Sequence, residues 1–318
     1  MRRILLLLLL SACATGVAAQ TFPSRAVRVV VAFPPGGSAD VLARLIAPKL
    51  TDLWGQPVLV ENKPGASANI GTDHVAKAAP DGYTLLLATS AFGVIPSLYG
   101  SLPFDAAADF VPVNFVATFA SVLVAHPSVP ANTVAELIAH AKAKPGVLNF
   151  ASAGSGSTGR LAGELLKQSA GIDIVHIPYK GGAPAFADLT SGRVQIMFAN
   201  VTEVVQPIRA GTLKGLAFTG RERIAVLPGV PTVAEAGYPG LEVINWQGVL
   251  APAKTPDDIV RRLNAEIRSA VLAPEVRERF QALGLALAEG SPESLCAHIK
   301  AEIAKWGQVI RTGGIKPD

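Results

Sequence analysis

Hydrophobic and polar positions along this chain switch repeatedly between two periods. Residues 27–33 are apolar apart from Arg28 and rich in valine, which predicts a strand. Residues 39–53 return apolar side chains every three or four positions, which predicts an amphipathic helix. The alternation continues with a strand at 57–61 and a helix at 68–78, then a strand at 83–88 entered through Asp81-Gly82. A long β-rich run at 111–125 follows, and the alternation restarts. Helices are expected at 133–144 (capped by Asn132 or Thr133), 157–170, 183–189 and 202–210, with strands at 147–151, 174–178, 194–198 and 213–218. A helical turn at 231–236 and a second β-rich run at 241–250 precede three helices at 256–272, 274–283 and 292–310. Each of these opens at or near a proline, where the missing N–H costs little.

Strands apolar throughout and separated by helices of about a dozen residues predict parallel sheets covered on both faces. The two β-rich runs are the natural places for the chain to cross between sheets. The expected organisation is therefore two doubly wound α/β lobes, the first discontinuous (20–122 plus 250–318) and the second inserted (123–249). Two crossings make a hinge, and a hinge between two lobes makes a cleft.

Composition narrows this picture. Half of the 318 residues are apolar and 16% are charged, so the chain can bury sizeable cores. Met1-Arg2-Arg3 followed by the apolar run 4–10, with Ala18-Ala19 as a cleavage site, reads as an export signal over 1–19. Leu10-Ser11-Ala12-Cys13 also has the form of a lipobox, which would anchor the mature chain through Cys13. Without Arg2 and Arg3 the chain carries 26 basic against 24 acidic residues, a balance that gives no footprint for nucleic acid. Cys296 then has no internal disulfide partner. It adjoins the helical stripe Leu295, Ile299, Ile303, Trp306 and Ile310, where an inert buried thiol is expected.

Two loops stand out for their chemistry. In Phe33-Pro34-Pro35-Gly36-Gly37-Ser38-Ala39-Asp40 a strand feeds a helix through a Gly-rich turn. Such a turn leaves backbone N–H groups and the positive end of the helix dipole facing outward, which suits a small carboxylate. Ala153-Gly154-Ser155-Gly156-Ser157-Thr158-Gly159 repeats the arrangement and adds hydroxyls. Its glycines match the dinucleotide fingerprint literally. The following strand, however, ends at Pro178-Tyr179 without the acidic residue that would hold a ribose. Thr89, Ser90, Tyr179 and Asn200 follow other strands, where open α/β sheets gather ligands. Asp40 is a candidate too, better suited to bracing its loop than to facing an anion. His176 reads as a structural histidine and Lys180 as a solvated charge. The five histidines show no metal-ligand spacing, and no Gly-x-Ser-x-Gly frame or P-loop is present, so neither a metal, a cofactor nor a catalytic set is expected.

These motifs occur in order with Val60-Glu61-Asn62-Lys63-Pro64-Gly65-Ala66, Ala79-Pro80-Asp81-Gly82-Tyr83-Thr84-Leu85, Pro178-Tyr179-Lys180-Gly181-Gly182 and Pro228-Gly229-Val230-Pro231-Thr232-Val233-Ala234-Glu235-Ala236-Gly237. Over essentially the whole mature chain the sequence resembles the Bug receptors, extracytoplasmic solute-binding proteins of tripartite tricarboxylate transporters. The resemblance implies a type II periplasmic-binding-protein fold that closes on its ligand like a flytrap. It further implies a periplasmic, monomeric receptor delivering a dicarboxylate, tricarboxylate, acidic amino acid or aromatic acid to the transporter's membrane subunits. Carried over by position, the binding residues would be Phe33, Gly36, Gly37, Ser38 and Ala39 in one loop and Gly154, Ser155, Ser157 and Thr158 in the other. The family often has glycine or threonine where Ser38-Ala39 stand, and acidic residues near Asn200, which leaves the ligand open. A sensory subunit using the same cleft, and an exported α/β enzyme, are the competing readings.

Overall fold

The computed structural model describes residues 22–317. The expected export signal, the lipobox and Cys13 lie outside the described residues.

The first strands follow the expected order. β1 (Val27–Val31) pairs in parallel with β2 (Val58–Asn62) on one side and β3 (Thr84–Thr89) on the other. The helix α1 (Ser38–Trp54) connects β1 to β2, and α2 (Asn69–Ala76) connects β2 to β3. In the second half, β5 (Asn149–Ser152) pairs in parallel with β6 (Val175–Pro178) and β7 (Ile196–Asn200). There α5 (Thr158–Ala170), α6 (Gly182–Thr190) and α7 (Val201–Arg209) make the connections, after α4 (Val134–Ala143) has led into β5.

The two groups are joined through β4 (Phe110–Ala125), which pairs antiparallel with β9 (Ile244–Pro252) from Phe110 to Ala120. From Ser121 to Ala125 it pairs instead with β7 and with β8 (Lys214–Phe218). At about 3.3 Å per residue, its 16 residues are long enough to serve two sheets. The resulting order is β2-β1-β3-β9-β4-β7-β5-β6, with β8 and the short β10 (Ala286–Leu287) as further partners of β4. The sheets are thus mixed rather than wholly parallel. β9 lies antiparallel to both β3 and β4 because it returns directly from the other group, without the crossover helix that a parallel neighbour needs. Below, the strands around β1 with their helices are termed the first lobe, and those around β5 the second.

One helix has no counterpart in the sequence pattern. α3 (Ala91–Leu98) buries Phe92, Gly93, Val94 and Ile95 in succession, so its polar positions carry no period to read. It packs against α10 (Pro292–Gly313), where a Cβ on Gly93 would stand 2.9 Å from that of Glu302. The helices α8 (Asp257–Leu272) and α9 (Pro274–Ala282) cover the first lobe. On α10 the expected stripe is buried at Leu295, Ile299, Trp306 and Ile310, whereas Cys296 is only half-buried. One residue along a helix turns about 100°, which takes the thiol off the buried face. Among the described residues no helix is long and apolar enough to cross a membrane.

Candidate functional site

The first loop ends at α1 with Gly37 in the N-cap position and no side chain capping the helix. Its shape is held from behind. Asp40 is buried and accepts from the Gly36 N–H (2.9 Å), the Arg44 guanidinium (3.0 Å) and the Asn62 amide (2.9 Å). Asn62 also donates to the Phe33 carbonyl (3.0 Å). Burial pushes the Asp40 carboxyl up, but Arg44, Gly36 and Asn62 together hold it below its ordinary value. Asp40 is therefore an anionic brace, and the Gly36 N–H is already engaged by it.

The second loop holds itself. The Ser157 hydroxyl accepts from the Arg160 N–H (3.3 Å) as the N-cap of α5 and donates to the Gly154 carbonyl (2.8 Å). Ser152 exchanges hydrogen bonds with Gly154 and meets His176 Nε2 at 2.7 Å, so His176 props the loop from the neighbouring strand. A Cβ on Gly159 would stand 2.7 Å from the Phe198 carbonyl oxygen, so glycine there lets α5 begin directly against β7.

Three consecutive residues of β9 tie the two loops together. Asn245 accepts from the Thr158 hydroxyl and donates to Ser121 Oγ (2.9 Å). The Trp246 N–H donates to Ser90 Oγ (2.8 Å), and Gln247 Nε2 reaches Ser38 Oγ (3.4 Å). From the second lobe, Asn200 Nδ2 also donates to Ser38 Oγ (3.0 Å). A Cβ on Gly181 would stand 2.5 Å from Pro34 Cδ, and its φ is +132°, so only glycine lets the two lobes approach there.

Between the loops lies a cavity of about 660 Å³ including its open mouth. Of the residues singled out from the sequence, Phe33, Gly37, Ser38, Ala39, Thr89, Ser90, Ala153, Ser157, Thr158 and Asn200 line it. Gly36 and Asp40 do not, since they form the brace behind the loop. Gly154, Ser155 and Tyr179 line a separate hollow beside it, together with Lys180, Ser67 and Tyr99. The Tyr179 hydroxyl donates to Asp188 (2.8 Å); burial first and then that carboxylate push the phenol up to about 12.

Sequence reading missed Asn245, Trp246, Gln247, Glu203, Phe119, Met197 and Phe198 in the lining. Two of these carried a signal: Asn245 and Gln247 are polar residues in an apolar strand, and both are buried. Glu203, in the first turn of α7, had the pattern of an ordinary exposed helix start. Instead both its carboxyl oxygens are buried and make no hydrogen bond of standard geometry. Burial pushes it up to about 7, only partly offset by the Asn200 amide and the backbone N–H groups of Ser38 and Asn200. Among the described residues no cluster of His, Cys, Asp or Glu could hold a metal ion.

Comparisons with known proteins show the fold and the family. Residues 42–315 match the model of the tripartite tricarboxylate transporter family receptor, TctC. The chain is 41% identical over 305 residues to the protein BugT of Bordetella pertussis, covering 95% of this chain and 94% of that one. A Rhodopseudomonas palustris protein solved with adipate is 38% identical with a TM-score of 0.90, covering 93% of this chain and all of that one. MatC of the same organism, solved with malate, is 34% identical with a TM-score of 0.87, covering 91% of this chain and all of that one. The fold is accordingly that of the periplasmic binding proteins, BugD among them, whose members in this family are solute receptors rather than enzymes. The chain belongs to the TctC family of periplasmic solute-binding receptors, the Bug receptors.

Proposed function

We propose that this receptor captures a small organic carboxylate in the cavity between its two loops and delivers it to the membrane subunits of a tripartite tricarboxylate transporter. One observation carries this reading: the N-termini of α1 and α5 open on the same cavity, from two different lobes. Each supplies backbone N–H groups and the positive end of a helix dipole, and hydroxyls of Ser38, Ser90 and Thr158 stand beside them. The adipate and malate in the two related structures support a carboxylate as ligand here. Closure is then the step that builds the site, because Ser38 and Asn200 meet only when the lobes do. The binding set we propose is Phe33, Gly37, Ser38, Ala39, Thr89, Ser90, Ala153, Ser157, Thr158 and Asn200, in a monomer exported to the periplasm.

A thermal-shift and calorimetric screen of mono-, di- and tricarboxylates, amino acids and aromatic acids tests the capture step. A ligand at a hundred times its Kd should stabilise the receptor by about 2.7 kcal/mol. Failure of every carboxylate to raise Tm would overturn the reading. Co-purification of the liganded receptor with the transporter's membrane subunits tests delivery, and recovery with a membrane sensor instead would redirect it.

A further inference from the structure

Among the described residues that line the cavity, Glu203 alone has an ionisable side chain. Its two oxygens are fully buried and lack hydrogen bonds of standard geometry, and Gln247 Oε1 beside the same cavity is in the same condition. Glu203 and Gln247 thus bring three buried acceptor atoms to this cavity, none with a hydrogen bond of standard geometry. The packing keeps the carboxyl in place. A Cβ on Gly182 would stand 2.8 Å from Glu203 Oε1, so glycine there leaves room for this side chain. The donors bearing on Glu203 are the Asn200 amide and the N–H groups of Ser38 and Asn200, so the acid already draws on the N-terminus of α1. The N-terminus of α5, with Thr158, opens on the same cavity.

Such a cavity combines an anion-binding helix end with a surplus of buried acceptors. A second ligand carboxylate placed near Glu203 would meet a like charge, and one of the two would have to take up a proton. A protonated amine brings three donors and a compensating charge to the same atoms. We infer that Glu203 makes this receptor select ligands that carry a carboxylate at one end and a protonated amine at the other. The inference rests on the carboxylate-capture reading and narrows it to a ligand class.

Matched pairs differing only at one end group test it by calorimetry on the full receptor at pH 7.5. The pairs are 3-aminopropanoate with malonate, 4-aminobutanoate with succinate, 5-aminopentanoate with glutarate, and 6-aminohexanoate with adipate. The amino acid of at least one pair should bind ten or more times tighter than its dicarboxylate partner. In Glu203→Gln, which keeps the volume, that ratio should fall to threefold or less. Equal or tighter binding of the dicarboxylates by the unmodified receptor would overturn the inference and leave carboxylate capture standing. If neither series nor any acid of the wider screen binds, it is the capture reading itself that fails. The preference of the unmodified receptor decides the matter even if the variant does not fold.

Discussion

The two helix-opening loops look interchangeable in the sequence but are held in opposite ways. The loop at 33–40 has no cap of its own and is shaped by a carboxylate behind it, with Asp40 gripping Gly36, Arg44 and Asn62. The loop at 153–159 is self-contained, with Ser157 capping α5 and closing back on Gly154. The difference matters for binding, because a helix start that caps itself has one orphan N–H fewer to offer. The first loop takes its support from Asp40 on the far side, while Glu203 draws on the Ser38 N–H at its cavity end. β9 then equalises them: Asn245, Trp246 and Gln247 in succession hold Thr158, Ser90 and Ser38.

The sharpest way to break this comparison is to remove the brace. Asp40→Ala leaves the Gly36 N–H, Arg44 and the Asn62 amide without their shared acceptor, and should cost on the order of 2–3 kcal/mol of stability. It should also weaken carboxylate binding more than tenfold, since the loop loses its shape. Urea unfolding followed by calorimetry measures both, and a cost under about 0.5 kcal/mol would show that the loop holds itself. The Asp40 carboxyl is held below its ordinary value of 3.8, so its contribution is present above that pH and fades as pH falls through the lowered value. Asp40→Asn should therefore show a smaller loss of stability on acidification below about pH 4 than the unmodified receptor.

Glu203 runs the other way. Burial raises it from 4.5 to about 7, so its stabilising neutral form is complete below 4.5 and lost as pH rises through 7. Glu203→Gln, neutral throughout, should gain on the unmodified receptor by on the order of 2 kcal/mol between pH 5 and pH 8 in the ligand-free state. Parallel stability curves across that range would show that the carboxyl reaches solvent.

The self-capped loop should be more forgiving. Ser157→Ala removes one cap and should cost about 1 kcal/mol, less than the loss of the Asp40 brace. If instead it costs as much as Asp40→Ala, the two loops are alike and the contrast between them fails.

Most elements were legible because their periods are clean: α1, α5 and the parallel strands fall within about two residues of their expected bounds. The antiparallel course of β9 was not, because strand direction is set by the route of the connection and leaves no mark on an apolar run. α3 was invisible because a helix buried all round has no polar face. In the site, both loops announced themselves through glycine and serine next to helix starts. Which of their residues face the cavity depends on curvature, and so Gly36 and Asp40 fell behind the wall and Gly154, Ser155 and Tyr179 beside it. Glu203 could not be read at all. An acid in the first turn of a helix is ordinary, and only the meeting of α7, α6 and α1 buries it.

The smallest effect is expected at Tyr179, where the border between cavity and neighbouring hollow can be drawn. Its hydroxyl donates to Asp188, which also pairs with Arg193, so this network stands on the outer side of the second loop. Asp188 is held below its ordinary value, first by the Tyr179 hydroxyl and then by Arg193, and so remains a charged acceptor at neutral pH. Tyr179→Phe deletes one hydrogen bond to a carboxylate that keeps its arginine, and should cost only about 0.5–1 kcal/mol in urea unfolding. Because the Tyr179 main chain still lies against Gly154 and donates to the Ser152 carbonyl, the loop keeps its shape and carboxylate affinity should stay within about twofold of the unmodified receptor. A tenfold loss at unchanged stability would place the outer hollow inside the binding site and make the second loop, like the first, dependent on support from behind.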